Sequence, residues 1–208
     1  VAAVSAVDPL LADFVASAGP LDPRPGEGDA FSSLARAIVF QQLAIGAAGT
    51  IHRRLVEAVG GRMTPEAVLA APDEELRGAG LSTAKTVSLR DLASKAVDGT
   101  VRLDDLAGRD DEQIVARLIE VRGIGRWTAE MFLLFELVRP DVWPVDDLGV
   151  RRGWTLIHRL AEDIGVTQLR QEGERYRPYR SLVARYCWQA VRVDRAQRTL
   201  NREPPSVE

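Results

Sequence analysis

The side chains able to do chemistry are few, and that narrows the chemistry. The 208-residue chain has one cysteine, Cys187, two histidines, His52 and His158, and two lysines, Lys85 and Lys95. One thiol excludes an intramolecular disulfide framework, a four-cysteine zinc site and a cysteine-ligated iron–sulfur cluster. A zinc site would have to be built mostly from carboxylates. Both histidines lie in helical runs and are given no role. A Schiff base needs an amine, and only the two lysines carry one on a side chain.

Backbone and carboxylate chemistry remain. The most informative spacing is Val121-Arg122-Gly123-Ile124-Gly125 between two helical runs. The two glycines can take backbone angles closed to other residues, and Ile124 can plug back between the helices. The turn then exposes N–H groups at the start of the second helix, where the helix dipole favours a phosphate oxygen. Such a surface lets a nucleic-acid backbone approach without strong positive charge, which suits a net charge of −3. Downstream, Asp146-Asp147 follows Pro144 and opens another helix. The dipole and nearby N–H donors favour the charged form of a carboxylate so placed. Four tryptophans, Trp127, Trp143, Trp154 and Trp188, could bind electron-poor cationic rings by stacking and cation–π attraction.

Helices must position these groups. Residues 31–59 place Leu34, Ile38, Leu43, Ile51, Leu55 and Val59 near helical spacing, with a break expected around 42–47. Thr64-Pro65-Glu66 reads as an N-cap followed by proline at the first helical position. Pro72 starts a short helix that Gly78-Ala79-Gly80 ends, and Ser82 caps a longer one reaching Val97. Asp110 or Asp111 opens a helix with Ile114, Val115, Leu118 and Ile119 on one face, the hairpin follows, and a helix from Arg126 to Val138 comes next. Two or three more run through His158, Leu169 and Pro178 to Arg198. Strand signals are scarce. The fold class is all-α, roughly ten helices in two lobes around a cleft. One lobe is expected to hold 31–105 with the C-terminal helices and the N-terminus, the other 106–170, all within one domain spanning 1–208.

Composition sets the remaining bounds. Apolar residues make up 46% and charged residues 27%, near the globular average, so the chain can bury a core. No apolar run is long enough to cross a bilayer, and no basic stretch precedes the apolar N-terminus, so no secretory signal is expected. Residues 1–30 carry Asp8, Asp13, Asp22, Glu27 and Asp29 against Arg24. Arginines 170, 175, 177, 180, 185, 192, 195, 198 and 202 face only Glu172, Glu174 and Asp194. That asymmetry suggests an anion-facing surface.

The run LIEVRGIGRWTAEMFLLF followed by DVWPVDDLGVRRG resembles the helix-hairpin-helix GPD superfamily of DNA glycosylases, in its 3-methyladenine DNA glycosylase II branch. FSSLARAIVFQQLAIGAAGTI, LRGAGLSTAKTVSLRDLA and RYRPYRSLVARYCW look like the same family, so the likeness touches most of residues 30–190. With few residues before Phe31, the chain looks like the compact form lacking the N-terminal β domain of larger members.

The resemblance implies a monofunctional glycosylase that flips an alkylated base out of double-stranded DNA and hydrolyses its N-glycosidic bond, acting as a cytoplasmic monomer in base excision repair. Asp-x-x-Val-x-Arg matches from Asp147, which takes the catalytic role, with Asp146 as the helix cap. Gln42 and Leu43 are the candidate wedge. Trp127, Trp143, Tyr176 and Tyr179 are candidate walls of the base pocket. Gly123, Gly125, Arg126, Thr128 and Lys85 are candidate phosphate contacts, with Arg122 beside them. The carbonyls of Ile119, Val121 and Ile124 would hold a sodium or potassium ion; no cofactor is needed for catalysis. Lyase-competent relatives carry a lysine two residues after the second hairpin glycine; here that position is Trp127. The other readings are a non-catalytic helix-hairpin-helix DNA-binding module and a bifunctional glycosylase/lyase.

Overall fold

The computed structural model describes residues 1–21 and 29–201. Asp22, Arg24, Glu27 and Arg202, counted in the charge asymmetry, lie outside those residues. The described residues form twelve α-helices, two short 3-10 turns and no strand, so the chain is all-α. The helices are α1 Ala2–Ser5, α2 Pro9–Ala18, α3 Ala30–Phe40, α4 Ile45–Ala58, α5 Pro65–Ala70, α6 Asp73–Gly78, α7 Thr83–Val97, α8 Asp111–Leu118, α9 Arg126–Phe135, α10 Leu148–Ile157, α11 Val166–Gly173 and α12 Arg180–Leu200. None of them is long and apolar enough to cross a membrane.

Side-chain caps start several of these helices where the sequence says they should. The Thr64 hydroxyl accepts Ala67 N–H at 3.2 Å and the Ser82 hydroxyl accepts Lys85 N–H at 3.3 Å. Asp8 accepts the Leu10 and Leu11 N–H groups ahead of Pro9. The break between α3 and α4 falls at residues 41–44, and α9 stops at Phe135 rather than Val138.

The chain divides into two compact units, Pro25–Val138 and Val1–Arg24 with Arg139–Glu208. These boundaries differ from the expected lobes. The hairpin belongs with the helices of 31–105, and the C-terminal helices belong with the N-terminus and the segment after the hairpin. Hydrophobic burial explains the division. Leu34, Ile38, Leu55, Leu89, Leu92, Ile114 and Leu118 form the core of the first unit. Leu11, Val150, Trp154, Leu169, Val183, Tyr186 and Cys187 form that of the second.

In the second unit α10 and α12 pack most intimately. Gly149 and Gly153, four residues apart, lie on one face of α10. A β-carbon at Gly153 would overlap the backbone of Cys187, and one at Gly149 would lie 2.7 Å from Trp188 Cδ1. Two missing side chains therefore let α12 approach α10 closely. A buried polar cluster secures the N-terminal segment to the same unit. Asp8 Oδ2 accepts from His158 Nε2 at 2.8 Å and from the Tyr176 hydroxyl. His158 stacks on Trp154 with ring centroids 3.9 Å apart, so it is a structural residue.

Candidate active site

Asp147 is the N-cap of α10. Its Oδ1 accepts Val150 N–H at 2.7 Å and the Trp188 indole N–H at 2.8 Å. This corrects the expectation for Asp146, which is exposed. The helix begins at Leu148, so the residue whose carboxylate reaches the N–H three positions on is Asp147. One oxygen accepts both bonds: the cap orients the carboxylate, and the indole fixes it from α12. Asp147 is 9% exposed, whereas the next residue, Leu148, is 75% exposed, so the carboxylate lies just beneath the surface at a helix start. Trp188 was not singled out for this site. The readable signal was the small-residue face Gly149/Gly153, which marks where another helix must come close. Nearby, burial and the negative charges of Asp147 and Asp8 push the Cys187 thiol well above its usual pKa, so Cys187 is an inert core thiol.

Two of the expected pocket aromatics are core residues. Trp143 is buried, and its indole N–H donates to Leu169 O at 2.9 Å while its ring edge meets Trp154. Tyr176 is 1% exposed and bound to Asp8; burial and the Asp8 carboxylate push its hydroxyl pKa far up. Each fills the unit's interior and satisfies a buried polar atom. Tyr179 is exposed at the N-cap of α12.

Several arginines of the arginine-rich segment are engaged in internal pairs. Arg177 and Arg180 bind Asp141 and Glu174, Arg175 binds Asp8 and Glu172, and Arg198 binds Asp194. Asp141 and Asp8, from outside the segment, thus offset part of its excess charge. Asp141 is held below its usual pKa: burial pushes it up, but the Arg180 hydrogen bonds outweigh that.

In the other unit the hairpin has the expected form. Ile124 and Val121 are buried plugs, while Gly123 and Gly125 are exposed. Gly123 has φ +82°, and a β-carbon there would collide with the Ser88 hydroxyl of α7, so the position admits only glycine without strain. Gly125 is the N-cap of α9 with no side-chain cap bond, and the first N–H groups of a helix point outward along its axis without intrahelical acceptors. Trp127, 44% exposed, stands in the first turn of α9.

Three of the other phosphate candidates point elsewhere. Arg126 pairs with Glu112 and Glu130. Thr128 is buried, with its hydroxyl accepting from Gln41 at 3.3 Å. Lys85 Nζ donates to Val39 O at 2.7 Å and Gln41 O at 2.8 Å, and burial lowers its pKa. Its ammonium caps the C-terminal end of α3 rather than reaching outward, because carbonyls at a helix end attract a cation. The wedge candidates do sit at the surface. Gln42 takes φ +55°, Leu43 is 40% exposed, and together they form the tip of the turn between α3 and α4.

A Gly-Ile-Gly turn joining α8 to α9, with a capped carboxylate downstream on α10, defines a helix-hairpin-helix protein. Residues 35–178 match the family model of the HhH-GPD superfamily base excision DNA repair protein, and the chain belongs to that superfamily. It is 34% identical over 166 residues to DNA-3-methyladenine glycosylase 1 of Schizosaccharomyces pombe, covering 78% of this chain and 73% of the relative. Among solved structures, the S. pombe 3-methyladenine DNA glycosylase in complex with abasic DNA superposes with a TM-score of 0.82 at 31% identity, over 90% of this chain and 93% of that one. A DNA-3-methyladenine glycosidase from Bacillus halodurans gives 0.85 at 34% identity, over 94% and 90%.

Proposed function

We propose that the protein is a monofunctional DNA glycosylase that removes alkylated purines, 3-methyladenine among them, from double-stranded DNA, working as a cytoplasmic monomer. The carrying observation is the Asp147 carboxylate, fixed at the start of α10 by Val150 N–H and Trp188 Nε1–H. The names of the relatives and the abasic DNA bound to one structural neighbour support the substrate class.

The target base leaves the stack before it can react. Leu43 and Gln42 enter the vacated space, one stacking and the other hydrogen-bonding the orphaned base. Trp127 offers its indole to the cationic alkylated ring. As the glycosidic bond stretches, positive charge grows on the sugar, and Asp147 stabilises that charge and orients the attacking water. An alkylated purine already carries positive charge and leaves readily, so no strong general acid is required. The exposed N–H groups at Gly125 and the first turn of α9 receive a phosphate oxygen, a contact that positions the duplex rather than reading its sequence.

The monofunctional assignment rests on amines. Trp127 stands where a lyase would carry lysine. Lys85 is bonded to two carbonyls, and Lys95 to Asp91 and Glu120 O. A sodium or potassium ion at the hairpin would be held by the carbonyls of Ile119, Val121 and Ile124. Supporting this, Val121 O accepts Ile124 N–H at 3.0 Å, and a carbonyl oxygen has a second lone pair that an ion can use. Such an ion would supply positive charge for a phosphate.

The test is incubation with alkylated duplex DNA, reading free base and strand breaks separately. The expected result is free 3-methyladenine, abasic but intact strands, and no covalent adduct after borohydride. Asp147→Asn keeps a cap oxygen and is expected to cut excision by about 10³-fold or more while duplex binding persists. No base release from any lesion, with salt-sensitive duplex binding retained, would leave a non-catalytic DNA-binding module. A trapped adduct would make it a lyase.

A further inference from the structure

The residue before the wedge candidates is placed as a brace. Gln41 Nε2 donates to Gly123 O at 2.9 Å and to Thr128 Oγ1 at 3.3 Å. A carbonyl can only accept, so the amide nitrogen must face the hairpin. Gln41 therefore joins the α3–α4 turn to the hairpin, across 82 residues of sequence. From α7, Lys85 holds the same turn by its Val39 and Gln41 carbonyls.

Helix α7 holds the hairpin as well. Asp91 Oδ2 accepts Arg122 N–H at 2.7 Å, Lys95 Nζ donates to Glu120 O at 2.6 Å, and Ser88 lies against Gly123. Lys85, Ser88, Asp91 and Lys95 fall at helical spacings of three and four, so one face of α7 carries both attachments. The turn needs this support: Gln42 adopts the left-handed region, which a non-glycine residue keeps only when its surroundings over-determine it.

We propose that Gln41 and Lys85 are positioning residues for base extrusion, fixing the Gln42–Leu43 tip relative to the phosphate-binding hairpin. The inference rests on reading 42–43 as the wedge. A tip locked in place while the hairpin grips the backbone can transmit binding energy into unstacking the target; a loose tip cannot. Both side chains are engaged with internal acceptors, so each is assigned to the step that opens the duplex and not to the chemistry on the sugar.

The experiment compares single-turnover excision of one alkylated base from two DNAs: a fully paired duplex, and the same sequence with the lesion unpaired in a bulge. An unpaired base costs less to extrude. Gln41→Ala and Lys85→Met are expected to lose tenfold or more on the paired lesion and less than threefold on the bulged one. Lys85→Arg, which can still donate to both carbonyls, should restore the paired rate. Gln41→Glu should not, since a carboxylate repels the Gly123 carbonyl. Melting curves identify any variant that fails to fold, in which case fluorescence of 2-aminopurine beside the lesion, read with Lys85→Arg and Gln41→Glu, reports extrusion instead. Equal losses on both DNAs, or no loss on either, overturn the inference while leaving the proposed function standing. Wild-type protein that releases no base defeats the proposed function and takes this inference with it.

Discussion

Gly149→Ala sets two physical effects against each other, and their signs differ. Gly149 lies in the first turn of α10, where replacing glycine by alanine stabilises a helix by about 1 kcal/mol. Packing opposes that gain. The new β-carbon would lie 2.7 Å from Trp188 Cδ1, 3.0 Å from Trp188 Nε1 and 3.0 Å from Asp147 Oδ1. Carbon contacts settle at about 3.5–4.0 Å, so the indole must retreat by roughly 1 Å. The 2.8 Å bond from Trp188 to Asp147 would then exceed hydrogen-bond range. A hydrogen bond to a charged group contributes about 1.5–3 kcal/mol. The net expectation is a loss of about 0.5–2 kcal/mol, or roughly 1–8 °C in melting temperature for a chain of this size. A displacement of about 1 Å near reacting atoms costs up to about 10²-fold in rate, so excision should fall by one to two orders of magnitude. Thermal melts and single-turnover excision measure both quantities. A variant that melts higher than wild type and excises at the wild-type rate would show that helix propensity outweighs packing here, and that the indole does not hold the carboxylate.

Other perturbations probe the supporting structure. Gly123→Ala forces a β-carbon into the Ser88 hydroxyl at φ +82° and should cost about 1–3 kcal/mol, read by urea unfolding; a neutral result would refute the close approach of hairpin to α7. The Tyr186 hydroxyl is buried with no hydrogen-bond partner among the described residues, so Tyr186→Phe should stabilise by up to about 1 kcal/mol, and a clear drop in melting temperature would reveal a missed partner. Burial pushes the Asp8 carboxyl up, but the hydrogen bonds from Tyr176, His158 and Leu11 N–H outweigh it, leaving its pKa below the usual value. A carboxyl depressed in the folded state adds stability above its unfolded pKa of about 3.9 and loses it as pH falls through the lower folded value. Asp8→Asn should therefore flatten the acid limb of the stability curve, and an unchanged slope below pH ~4 would refute that assignment.

Local chemistry in the chain is enough to determine the helical class and the hairpin, and it brings a carboxylate to the start of α10; it does not choose between Asp146 and Asp147, whose cap role the structure gives to Asp147. Caps such as Thr64 and Ser82, apolar spacing as in Ile114-Val115-Leu118, and a turn that needs glycine at 123 all act over a few residues, so they can be read directly. The aromatics and cations were another matter. Trp143 and Trp188 are chemically identical, yet one fills a core against Leu169 and Trp154 while the other reaches Asp147 across 41 residues. Lys85 and the arginines of 175–198 carry charges that suggest phosphate. Whether each finds an internal carbonyl or carboxylate first depends on which helices pack beside it. Long side chains have reach without direction until the backbone around them is fixed. For that reason a carboxylate at the start of α10 was legible in the sequence, while which of the two aspartates caps that helix, the indole that holds it and the brace at Gln41 emerged only from the folded chain.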